Sequence, residues 1–215
     1  VRSPTGLRRL STPRAAAVAG VLFALLFGGS LVLIRLALPE GEQPGAQWLQ
    51  TGSTNLKIAA TIMPFAAIAF LWFMGVVRDG LGRYEDKFFS TVFIGSGLLF
   101  IAMMFVAAGV GAGLERSHAA GDPGVAASGQ MVLLTVSKTY ALRMAAVFMI
   151  SLATIWLKTG LMPRWLVITS YLAAVGLLIA SDITMWLVLA FPVWVLVVSL
   201  LLLARAGVLD LDGHD

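Results

Sequence analysis

The sequence predicts an all-α integral membrane protein, a polytopic bundle of six transmembrane helices with both termini cytoplasmic. Three observations carry that prediction. Hydrophobic residues make up 59% of the 215-residue chain and charged residues only 12%, whereas about a quarter of a soluble domain is charged. The apolar residues come in long blocks, many reaching the roughly 20 residues a helix needs to cross hydrocarbon. Lysine and arginine collect at the ends of those blocks, where topology signals belong.

Residues 1–14 are polar and basic, with Arg2, Arg8, Arg9 and Arg14, and read as a disordered cytoplasmic arm. The transmembrane domain covers 15–204, and its first span is 15–38. A basic start before an apolar run also describes a signal peptide. This run exceeds a typical signal core, and Pro39-Glu40-Gly41 offers no small-x-small cleavage pattern, so it reads as a retained span. A loop over 39–55 follows, with Trp48 as an interface anchor. The second span is 56–77, followed by a short charged loop over 78–87. The third, 88–114, is long enough to tilt or to project from the bilayer.

The next loop carries the turn formers Asp122, Pro123 and Gly124. The fourth span, 131–157, ends at a tight basic turn containing Gly160 and Pro163. From Trp165 to Ala204 the only charge is Asp182. That stretch is twice the length of one span. Asp182 therefore marks a hairpin tip and caps the last helix, dividing the block into spans 165–181 and 183–204. Residues 205–215 form a short acidic tail.

Six spans put both termini on one side. That side holds ten cations, among them Arg78, Arg83, Lys87, Lys158, Arg164 and Arg205, against Lys57 and Arg116 opposite, with Arg35 at the edge. The bias places the termini in the cytoplasm. The pattern looks like that of small bacterial polytopic membrane proteins, which puts the chain in a plasma membrane, but no motif is specific to a family.

Composition also bounds the chemistry. The formal charge of +4 sits at span ends and forms no aromatic-interleaved groove, so nucleic acid is not an expected partner. Cysteine is absent and both histidines, His118 and His214, lie outside the spans. No metal and no cofactor is expected. Gly95-Ser96-Gly97 has no base for a serine nucleophile. The spans hold no carboxylate at mid-depth, which argues against a cation-coupled pump.

The fourth span supplies the functional lead, because it contains Lys138 and Arg143. Measured back from Lys158 at 1.5 Å per residue, Arg143 reaches roughly 22 Å into a slab of about 30 Å. Lys138 reaches the outer boundary. Five residues separate the two, about 140° around an α-helix, so they do not share a face. Arg143 is thus the candidate for an anionic ligand or lipid, with Thr139 and Tyr140 on its face. Lys138, Arg35 and Asp182, at the same outer edge, are further candidates for binding the ligand or lipid. Glu40, Glu42 and Glu115 are loop carboxylates that could reach it. Pro64 and Pro192 are predicted kinks at one depth, suited to a cavity open to the outer leaflet. Gly109 and Gly113, Gly28 and Gly29, and Ala141 and Ala145 are the predicted helix-packing positions.

Two main functions follow. The first is a structural or accessory subunit of a larger membrane complex, or of a homo-oligomer, given small loops and no catalytic groups. The alternative is a transporter, lipid-binding or ligand-sensing protein whose outer-leaflet cavity uses Arg143. Membrane lipids are the expected partners of either. An intramembrane enzyme acting on lipids has the least support.

Overall fold

A computed structural model describes residues 12–37, 47–81, 87–116, 122–180 and 185–211, with side chains placed over most of each segment. All of the regular structure in these segments is helical: α1 (Thr12–Ala37), α2 (Gln47–Leu81), α3 (Lys87–Arg116), α4 (Pro123–Leu134), a π-helical turn (Thr135–Ala141), α5 (Leu142–Thr159), α6 (Arg164–Ala180), a 3₁₀ turn (Met185–Leu189) and α7 (Ala190–Leu211). Five helical stretches are long and apolar enough to cross a membrane, and α6 is a shorter apolar sixth. This is the architecture expected of an integral membrane protein. With no water in hydrocarbon, a spanning backbone must satisfy its own polar groups, and a helix does so within one segment.

Several helices run past their apolar blocks. Residues 47–55, expected as loop, form the first two turns of α2, and residues 12–14 open α1. Residues 205–211, expected as tail, continue α7. The fourth span begins at Pro123 rather than Met131, so its path runs over Pro123–Thr159. Hydropathy locates hydrocarbon, whereas a helix once nucleated propagates through polar residues as well. Asp122 is not a loop residue but the N-cap of α4, accepting from the N–H groups of Gly124 at 2.9 Å and Val125 at 3.2 Å. Proline at the first helical position completes the start signal. Glu115 likewise belongs to the last turn of α3 rather than to a loop. Asp182, Glu40, Glu42 and both histidines lie outside the described residues.

The helix order around the bundle is α7, α1, α2, α3, α5 and α6, with the α1–α2 contact the most extensive. Aromatic side chains fill the centre. Phe70 of α2 meets Phe23 of α1, Phe100 of α3, Phe148 of α5 and Phe191 of α7, with ring centroids 4.6 to 5.7 Å apart. Polar bonds close the ring of helices. Trp194 of α7 donates its indole N–H to Ser170 Oγ of α6 at 2.8 Å, and Ser170 in turn donates to the Leu166 carbonyl. Thr154 of α5 and Tyr171 of α6 share a hydrogen bond of 2.7 Å. At the C-terminus of α5, Gly160 ends the helix in the left-handed region (φ 66°), donating its N–H to the Trp156 carbonyl.

A second, smaller apolar cluster lies apart from this core. It gathers Ala37, Leu56, Leu114, Ala126 and Leu133 at the end of the bundle that carries Arg35. α4 supplies two of those residues, and its early start brings in Ala126.

Candidate functional site

Between the main core and the smaller cluster the helices do not close. The resulting cleft measures about 770 Å³ with its open mouth, and only about 50 Å³ of it takes the centres of water-sized molecules. It is therefore a slot rather than a chamber. Its shape comes from small side chains on facing helices: Ala59 and Ala60 on α2, and Ala107, Ala108 and Gly111 on α3. Met63 and Met104 form part of the wall toward the aromatic core, and Leu56 and Leu133 part of the wall toward the smaller cluster.

Two of the residues lining this apolar slot are charged, and both are cations: Arg35 from the last turn of α1 and Lys138 from the π turn. Both residues also take part in interactions within the protein. Arg35 is half-buried, with its Nε buried in the wall. Ser137 is the lining hydroxyl, and it donates to the Leu133 carbonyl at 2.6 Å. No carboxylate belongs to the described lining. The nearby acid Glu115 pairs with Lys57 at 3.0 Å, tying α2 to α3 beside the cleft. With Lys57 66% exposed, that pair contributes no more than about 1 kcal/mol.

The chemistry available is recognition. A guanidinium and an ammonium favour an anion, and charge-assisted hydrogen bonds are the strong ones. Ser137, the lining hydroxyl, donates its hydrogen bond to the Leu133 carbonyl rather than to a base.

The predicted site residues separate on this framework. Arg35 and Lys138 come together on the cleft. Arg143, the leading candidate, is half-buried in the first turn of α5 and lines none of the described cavities. Thr139 is half-buried and engaged, while Tyr140 is exposed. The shared-face argument for these residues assumed a regular α-helix, and the π turn over Thr135–Ala141 changes that register.

The packing residues divide as well. Ala141 and Ala145 are fully buried. Gly28 is half-buried, 3.9 Å from the Pro192 side chain where a Cβ would stand. Gly29, Gly109 and Gly113 face outward with open space beside them. The close contacts fall instead at Gly20, Gly97 and Gly129, where a Cβ would collide with Ser199, Met74 and Leu114 respectively. Pro64 lies on the outer surface of α2. Pro192 is buried in the first turn of α7, directly after the 3₁₀ turn, so the helix changes geometry there rather than two turns into a regular span.

A bundle of apolar helices with an amphiphilic slot between them defines a multi-pass helical membrane protein with one recessed, positively charged cleft among its described residues. Comparison with protein-family models, with curated proteins and with solved structures returned no match.

Proposed function

We propose that the protein binds an anionic amphiphile, with an acyl chain lying in the slot and a carboxylate or phosphate meeting Arg35 and Lys138. The observation that supports this reading is the composition of the cleft: apolar walls of small side chains, and two cations contributed by separate helices. A ligand that is apolar along its length and negative at one end complements both the walls and the two cations. In this reading the chain spans the plasma membrane of a bacterium six times with both termini cytoplasmic. The cleft then opens at the level of the outer leaflet, as the lysine and arginine bias supports. The protein is a lipid-binding, ligand-sensing or transport protein rather than an enzyme.

The test is a titration of oleate and of phosphatidate into the protein in phosphatidylcholine nanodiscs. Arg35→Gln and Lys138→Gln are each expected to weaken binding about tenfold or more, the worth of a hydrogen bond to a charged group. Arg143→Gln is expected to leave it within about threefold of wild type, since its loss removes no group from the cleft. Loss on Arg143→Gln alone, with both cleft variants intact, would overturn the assignment.

A second reading keeps the chain as an accessory subunit or homo-oligomer. It is favoured by Gly109 and Gly113, a small-residue pair turned outward on α3 with nothing within 4 Å, as a partner helix would require. Recovery from mild detergent only as a lone monomer would count against it.

A further inference from the structure

A regular α-helix would turn Lys138 away from the line of Leu133 and Ser137. At about 100° per residue, Lys138 stands about 140° around from Leu133, five positions earlier. Yet Leu133, Ser137 and Lys138 all line the same slot. The π turn resolves this. In a π ladder each N–H bonds to the carbonyl five residues back, which brings residues i and i+5 into register and fits one residue more into the turn than an α-helix would. Seven residues, Thr135–Ala141, have this geometry, within an otherwise α-helical path. Such turns are rare and are found frequently at functional sites.

We infer that the wide turn is part of the binding site: its extra residue rotates Lys138 onto the cleft and so sets the charge an anionic ligand meets. The inference rests on the proposal that the cleft holds an anionic amphiphile, and it names the element that determines its selectivity. Lys138 contacts the ligand in this account, and the turn is a positioning device. Ser137 supports the turn through its hydroxyl bond to the Leu133 carbonyl.

Geometry supplies the test. Deleting one residue from the turn restores an α ladder while leaving the faces of α4 and α5 in place. Which residue is deleted decides where Lys138 goes. Removing Thr139 leaves Lys138 five positions after Leu133, off the cleft. Removing Val136 leaves it four positions after Leu133, on the cleft. The probes are oleate and phosphatidate in phosphatidylcholine nanodiscs, with inorganic phosphate as a third arm.

The Thr139 deletion is expected to weaken binding of the amphiphiles roughly ten- to hundredfold, as Lys138→Gln does. The Val136 deletion is expected to stay within a few-fold of wild type. Inorganic phosphate is expected to bind far more weakly than either amphiphile; equal binding would show that the apolar slot contributes nothing. If the Thr139 deletion binds as wild type, or both folded deletions lose binding equally, the inference is overturned. Should neither deletion accumulate as a folded protein, lysine is moved along the turn in the Lys138→Gln background. Ser137→Lys is then expected to restore binding and Val136→Lys and Thr139→Lys are not; restoration by either of the latter overturns it. If wild type binds neither amphiphile, the proposed function falls, and this inference with it.

Discussion

Replacing Phe70 with alanine is expected to destabilise the bundle by about 3 kcal/mol, more than any other truncation in the core. Phe70 is fully buried, and its ring meets rings from α1, α3, α5 and α7 as well as Phe73 of its own helix. In water the loss would include the transfer of a large apolar side chain. In a bilayer that term nearly vanishes, because acyl chains are as apolar as the ring. What remains is lost dispersion contact and the cavity, together with edge and stacked ring pairs that contribute roughly 0.5–1.5 kcal/mol each and are not additive. The sum falls at the low end of the range for such truncations. Denaturant unfolding in detergent micelles, followed by tryptophan fluorescence, reads it directly, since Trp194 stacks on Phe191 and meets Phe148 edge-on. Phe70→Leu is expected to cost about 1 kcal/mol, because most of the volume is kept. A loss below about 1 kcal/mol for the alanine variant would mean that detergent or lipid refills the space.

The cleft depends on what this core does not fill, which explains why its residues were hard to read from sequence. The spans were legible because hydropathy averages over 20 residues, and five of the six predicted blocks coincide with helices long enough to cross. The slot is made by the absence of side chains. Ala59, Ala60, Ala107 and Ala108 carry no mark that separates a wall from a contact, since small residues equally permit close packing. Two alanine pairs at matching depth in the second and third spans, level with Arg35, were the available signal.

The π turn was hidden for a different reason. Its residues, Thr-Val-Ser-Lys-Thr-Tyr-Ala, show no periodicity that distinguishes an i→i+5 ladder from an i→i+4 ladder. α-Helical geometry therefore puts Lys138 at the outer boundary and makes Arg143 the leading candidate for the ligand. Arg35 is legible as a residue of the right depth but not as sharing a cleft with Lys138, because α1 packs on α2 while the wide turn packs on α3. Glu115 was placed in a loop and offered to Arg143, whereas the length of α3 aligns it with Lys57.

Gly20→Leu should nearly abolish folding, and Gly109→Leu should not, although the sequence motif points to the second. Gly109 belongs to the GxxxG pair on α3, but a Cβ there meets nothing within 4 Å. A leucine would extend into lipid, with an effect within about 0.5 kcal/mol. Gly20 is buried on α1, where the same Cβ would overlap Ser199 Oγ of α7 and stand 2.8 Å from Phe73 Cδ2 of α2. Ser199 could rotate away. Phe73, fully buried and stacked against Phe70, cannot without disturbing the aromatic centre. α2 must then retreat from α1, and that contact is the most extensive in the bundle. The expected cost is about 3 kcal/mol, the upper end for overpacking. It is read as loss of the folded fraction on size-exclusion chromatography and a lower unfolding midpoint in detergent. Because α1 also carries Arg35 to the cleft, any Gly20 variant that survives is expected to lose amphiphile binding along with stability. The reverse order, with Gly109→Leu the more damaging, would mean that the outward face of α3 is covered by a partner helix.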